Sequence, residues 1–271
     1  MAEEARVRRL VDAWKQQLSA AGNKQEAVAM AKYMKGVAPY FGIKSVERRA
    51  IAKACLREVE AQAKAQRQQG QRPEGAGSVA TRKRTVGASG AAKLQDSWDF
   101  CARVLDVCLG EEQRELHYCG VDLVTGKGVK RAIAAMTTVQ AETHIGGALK
   151  RWISTKPWWD TVDLIASHVA GAFFQHHPEA TKKHMTEWLA PHNPIWQRRT
   201  AILCQLSLNS STDQAFLFHA CRASLGTDEF FINKVCLKPI AECAPLRTQR
   251  LLSGNLNCAV LCCAVLCCAV P

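Results

Sequence analysis

No stretch of this 271-residue chain is apolar over the roughly 20 residues a membrane-spanning helix needs, so a membrane is not an expected partner. Strict alternation of apolar and polar residues is almost absent, which excludes a β-sandwich or barrel. There is no G-x-x-x-x-G-K-S/T run to cradle nucleotide phosphates. Nor is there an H-E-x-x-H or a His/Cys spacing suited to zinc; His176, His177, His184 and His192 read as surface histidines. No metal and no cofactor are expected. The opening M-A-E-E-A-R-V-R-R lacks the basic-then-apolar order of a secretory signal.

What is present is an excess of basic charge: 36 Lys and Arg against 24 Asp and Glu, a net +12. That favours an anionic partner and says nothing about fold. Half of the excess lies in residues 61–93, where seven basic residues face the single acid Glu74. Within that stretch, 66–92 is rich in Gln, Gly, Ser and Arg and poor in large apolar groups, so it is expected to be a disordered basic insertion. Arg82-Lys83-Arg84 can serve as a nuclear address, a nonspecific phosphate contact or a solvated loop. A nuclear location is the expectation.

Thirteen cysteines would suggest disulfides in a small secreted protein. Here eight of them, from Cys55 to Cys243, mostly occupy apolar helix positions, where a free thiol packs as a small hydrophobe. A reducing intracellular compartment fits better. The other five fall in the last fourteen residues, where C-A-V-L-C repeats in tandem over 258–270. A five-residue period suits neither helix nor strand, and adjacent cysteines are not a zinc-finger spacing. Residues 239–271 read as a divergent tail, such as an altered exon or reading frame produces.

Helical periodicity recurs nearly throughout, beginning with the stripe Val7, Leu10, Val11, Trp14 and Leu18. Val28, Ala31, Tyr33 and Met34 start a second helix that Gly36 and Pro39 end. Further amphipathic segments cover about 45–65, 94–109, 112–124, 140–154, 157–175, 179–190, 194–207, 212–224 and 228–236. The fold class is all-α, and helices of this length with short links suit paired helices in a solenoid.

Two stretches put polar groups where composition alone would bury them. In K-P-W-W-D-T-V-D, Lys156 to Asp163, Pro157 suits the first helical position. Trp159 and Asp163 are four residues apart and so share a helix face. In I-W-Q-R-R-T-A-I, Ile195 to Ile202, Arg198 and Arg199 interrupt an apolar run. An aromatic, a carboxylate and a guanidinium brought together would suit a cationic group attached to a phosphate chain. Taken alone, Asp163 reads more readily as a satisfied helix–helix hydrogen bond and Trp159 as ordinary core.

With Y-M-K-G (33–36), F-G-I-K-S-V-E-R-R (41–49), R-E-L-H-Y (114–118) and E-F-F-I-N-K (229–234), these stretches resemble the DNA alkylation repair family. The likeness runs in order from about Trp14 to Lys234. Its members are alkylpurine DNA glycosylases built from HEAT-like helical repeats, so residues 1–238 are expected to form one such domain and to act as a monomer. The resemblance implies double-stranded DNA carrying alkylated bases as partner. It implies a monofunctional glycosylase hydrolysing the N-glycosidic bond of 3-methyladenine or 7-methylguanine without metal or cofactor. Asp163 matches the catalytic aspartate, and Trp159 would lie beside the sugar and cationic base. Asp160, near the helix N-terminus, is better explained by the helix dipole, and Trp158 by packing.

Arg199 matches a phosphate-contacting arginine, with Arg198 solvated or an accessory contact. Tyr33 matches an aromatic on the DNA face, and Lys35 and Lys44 are phosphate candidates. The family's second site tryptophan has no counterpart, since Lys238 stands in its place and Pro239 follows. The family's last helices are missing too. The alternative is therefore a non-catalytic DNA-binding or scaffolding protein that lost activity through its altered C-terminus. A peptide-binding solenoid is a third reading; steep salt dependence would separate it from both.

Overall fold

The structure is a computed structural model and describes residues 2–69, 88–224 and 227–235. Every regular element among them is helical, and no strand occurs among the described residues. The all-α helical-repeat expectation holds. No helix among the described residues is long and apolar enough to cross a membrane. The chain divides into two compact units, Met1–Ala132 and Ile133–Pro271. Of the 66–92 stretch, residues 66–69 and 88–92 are helical, so helix reaches further into it than composition suggests; the remainder and the 239–271 tail lie outside the described residues.

The first unit begins with α1 (Ala2–Ala20), followed by α2 (Lys24–Tyr33), α3 (Ser45–Gln69), α4 (Ala88–Gly110) and α5 (Arg114–Val124). The α1 stripe of Val7, Leu10, Val11, Trp14 and Leu18 is fully buried against Cys55 and Val59 of α3, Val104 and Cys108 of α4, and Leu116 of α5. The Trp14 indole donates to the carbonyl of Ala52 at 3.0 Å, so this large core side chain leaves no polar atom unmatched. By contrast, α2 buries nothing of its own: Val28 and Tyr33 are exposed, and only Met34 just beyond it is buried. The stripe expected there is not a packed one. Its N-terminus is held instead by Asn23, whose side chain accepts from the N–H groups of Gln25 and Glu26.

Two of the motifs quoted above meet in this unit. Glu115, almost fully buried on α5, accepts hydrogen bonds from the main-chain N–H groups of Phe41 (3.0 Å), Gly42 (2.8 Å) and Ile43 (3.2 Å). One carboxylate thus satisfies three consecutive donors of a loop that has no other ladder to join. Gly42 sits at φ +87°, and a Cβ there would lie 2.0 Å from the Asn23 carbonyl oxygen. Only glycine lets the loop pass this close to the start of α2.

A short helix that the periodicity missed, α6 (Lys127–Ala134), precedes the second unit's α7 (Thr138–His144). A capping box opens α7, with Thr137 and Gln140 bonding each other's backbones. A π turn, Ile145–Leu149, joins it to α8 (Lys150–Trp152). Next come α9 (Trp159–Leu164), a second π turn (Ile165–Ala170), α10 (Gly171–His176), α11 (Pro178–Trp188), α12 (Ile195–Leu203) and α13 (Gln214–Ala223). Residues 230–235 are again helical. Ile145, Leu149, Trp152, Ile165, Val169, Phe173, Met185, Trp188 and Ile202 are buried here. Burial raises the Cys101 and Cys204 thiols to about 12 and Cys119 to about 11, so these cysteines stay protonated and pack as apolar groups.

Asp213 caps α13, accepting from the Phe216 N–H at 3.0 Å, and pairs with Lys182 of α11 at 2.7 Å. The Lys182 hydrogen bond first, and the Phe216 N–H second, hold its pKa below the ordinary carboxylate value. A depressed carboxylate pKa stabilises the fold above the unfolded-state value of about 3.9 and ceases to do so as pH falls through the folded-state value. Asp213→Ala should therefore lower unfolding free energy by about 1 kcal/mol at neutral pH. Urea titrations of parent and variant should converge as the medium is acidified below the carboxylate range. A gap that stays constant with pH would mean the charge plays no part.

Candidate active site

The sequence from Lys156 to Asp163 folds differently at its start from the expectation. Pro157 is not the first helical residue: Trp158 is the extended N-cap (φ −154°, ψ 161°), and α9 begins at Trp159. Lys156 lies in the left-handed region at φ +43°, which a lysine adopts only at a cost of about 1–3 kcal/mol. That reversal sets the entry angle of the chain into α9. Trp159 and Asp163, one turn apart on this helix, are both half-buried. The π turn follows at once. A π turn skips a rung of the i→i−4 ladder, and the Ser167 hydroxyl donates to the Asp163 carbonyl at 2.7 Å.

Opposite, α12 presents Arg199. Its Nε donates to one Asp163 carboxylate oxygen and one Nη to the other, each at 2.7 Å, a bidentate fork. The remaining Nη donates to the main-chain carbonyl of Phe231. The Arg199 side chain is 6% exposed and that of Asp163 31%. The arginine is thus enclosed while the Asp163 side chain stays partly exposed. Burying a guanidinium requires this degree of satisfaction. Three rings close the enclosure: Trp158–Trp196 at 5.7 Å, Trp158–Phe231 at 5.2 Å and Trp196–Phe231 at 5.3 Å between centroids. Trp158 packs, as expected.

Of the residues singled out from sequence, the structure joins Asp163 and Arg199 in one ion pair, with Arg199 turned to the carboxylate, and Trp159 stands one turn before Asp163 on α9. Arg198 is not solvated: it is 7% exposed, and its Nε has no hydrogen-bond partner among the described residues. Tyr33, Lys35 and Lys44 lie in the first unit. Tyr33 is 72% exposed at the end of α2; Lys35 is exposed at φ +59°; Lys44 is exposed and paired with Glu26 at 3.1 Å. Lys238 and Pro239 fall outside the described residues. Sequence reasoning gave Phe231 no role, because what it offers the ion pair is a backbone carbonyl, which no side-chain pattern announces. Among the described residues, no group of three or more His, Cys, Asp or Glu could hold a metal ion.

The family model described as "DNA alkylation repair enzyme" matches residues 14–71 and 77–245. The match omits only 72–76 of the stretch expected to be an insertion, and it runs on past Lys234 to residue 245. Among solved structures, a "predicted DNA alkylation repair enzyme" from Enterococcus faecalis is similar in fold. It has 22% identity and a TM-score of 0.58, with 90% of this chain and 94% of that one covered. No curated protein matches the chain.

Proposed function

The chain belongs to the DNA alkylation repair family, and from that premise we propose that it is a monofunctional DNA glycosylase acting on cationic alkylated purines in duplex DNA. The observation that carries this reading is the Asp163–Arg199 fork: a carboxylate held in the plane of a buried guanidinium and itself still partly exposed. An N3- or N7-alkylated purine is positively charged and already a good leaving group. The remaining task is to stabilise an oxocarbenium-like sugar and to place a water. A preorganised carboxylate does the first by its charge and assists the second as an acceptor for the water's proton.

Trp159, one turn away, offers a π-face that attracts a cation, with about 0.5–2 kcal/mol available depending on desolvation. Arg199 holds the carboxylate rather than reaching outward, so binding of the DNA backbone falls to exposed lysines such as Lys35 and Lys44. Such contacts position a duplex without reading its sequence. The net +12 charge supports an anionic partner.

The test is release of 7-methylguanine from methylated duplex DNA, compared with a buffer blank, with circular dichroism on the same sample to show that the protein is folded. Release above the blank, falling steeply as salt rises, is expected. A folded protein that releases no more than the blank would end the catalytic reading and leave the non-catalytic DNA-binding one.

A further inference from the structure

Building on that reading, we infer that Phe231 is the positioning residue of the site carboxylate: it holds Arg199, and Arg199 holds Asp163. A fork of two N–H groups fixes the carboxylate relative to the guanidinium but leaves the pair free to swing on the long arginine side chain. The third bond, from the other Nη to the Phe231 carbonyl, ties the guanidinium to a segment outside both α9 and α12. The ring repeats the tie, lying 5.8 Å from the Arg199 guanidinium carbon. The same ring packs edge-on against Trp158, the N-cap of α9, and tilted against Trp196 in the first turn of α12. One residue therefore touches the start of the helix that carries the carboxylate, the start of the helix that carries the arginine, and the ion pair between them.

The segment is itself anchored. Ile232 and Val235 are buried, and the Asn233 amide donates to the Thr227 carbonyl at 2.8 Å, closing the turn that precedes it. Phe230, the preceding residue, is exposed and its ring meets that of Phe231 at 5.4 Å between centroids, so it serves as a control for loss of an aromatic neighbour that does not tie the ion pair. Misplacing a reacting group by about 1 Å can slow a reaction about 100-fold, so loosening the anchor without removing it should have a smaller, readable effect.

The experiment compares Phe231→Ala, Phe231→Tyr and Phe230→Ala for single-turnover release of 7-methylguanine and for duplex affinity. Phe231→Ala should slow release about tenfold with affinity within about twofold, whereas Phe231→Tyr and Phe230→Ala keep the parent rate. Repeating Phe231→Ala in an Arg199→Lys background separates positioning from bulk stability. A lysine cannot form the fork, so the extra slowing should shrink to less than about twofold. The same tenfold slowing in both backgrounds, or full activity of Phe231→Ala, would overturn the inference. If Phe231→Ala fails to fold, Phe231→Leu takes its place.

A readout without activity keeps the two readings apart. In ¹⁵N-arginine-labelled protein, Arg199 should show slow guanidinium rotation in the parent and fast rotation in Phe231→Ala. Fast rotation in the parent would refute the anchoring even if release were robust. Slow rotation in a parent that releases nothing would leave the anchoring standing and the glycosylase reading refuted.

Discussion

Asp163→Asn should slow single-turnover release of 7-methylguanine by about 100- to 1,000-fold, the effect of deleting one preorganised electrostatic group from a reacting centre. The amide has nearly the shape of the carboxylate but loses its charge and turns one acceptor oxygen into an NH2 donor that meets an Arg199 N–H. The variant also leaves Arg199, which is 6% exposed, without its counter-ion. Breaking a fully buried pair costs about 3–5 kcal/mol. Here the carboxylate is partly solvated, so the loss should be smaller, about 1–3 kcal/mol, and the fold should persist. Thermal melts of parent and variant check that. Equal release by the two folded proteins would remove Asp163 from the chemistry.

Gly42→Ala should produce the largest loss of stability from any single methyl group in the first unit. The φ of +87° penalises any side chain, and the added Cβ would meet the Asn23 carbonyl oxygen at 2.0 Å and the Ala27 nitrogen at 2.6 Å. Both are backbone atoms, so relief requires moving the start of α2 or the loop itself. Moving the loop pulls three N–H groups away from Glu115. Strain and lost bonds together should come to about 4 kcal/mol or more, seen as a large drop in the urea midpoint. A midpoint close to the parent's would show that the loop is not held as described.

The candidate site residues were readable because each violates its surroundings: a carboxylate and paired arginines inside apolar helices are conspicuous in any sequence. Which partner each would choose was not. The same arginine fork fits a phosphate or a carboxylate, and only the packing of α12 against α9 decides for Asp163. Glu115 and the F-G-I run stand in two of the motifs that carry the family resemblance, R-E-L-H-Y and F-G-I-K-S-V-E-R-R. That the two belong together is a long-range pairing, some seventy residues apart in sequence. α6 escaped because eight residues are barely two turns: Val129, Ala132 and Ile133 do stand at i, i+3 and i+4 and are buried, but the period has no room to repeat. The α2 stripe misled for the converse reason: apolar spacing marks a face that can be buried, and here Val28 and Tyr33 stay in solvent.

The π turn at Ile165–Ala170 makes the aim of the Asp163 carboxylate a matter of counting. A π turn winds one extra residue into about the same rotation as regular α-helix, so losing one residue here would leave Trp159 and Asp163 on their present face, whereas losing two would rotate them by about 100° relative to Phe173 and the rest of the buried face downstream. No side chain would need to change. Substitution scanning across these six positions should therefore find them tolerant wherever volume is kept, and a single deletion should be absorbed as regular helix, whereas a double deletion should turn the carboxylate away from Arg199. The site is specified by the length of the chain as well as by its letters.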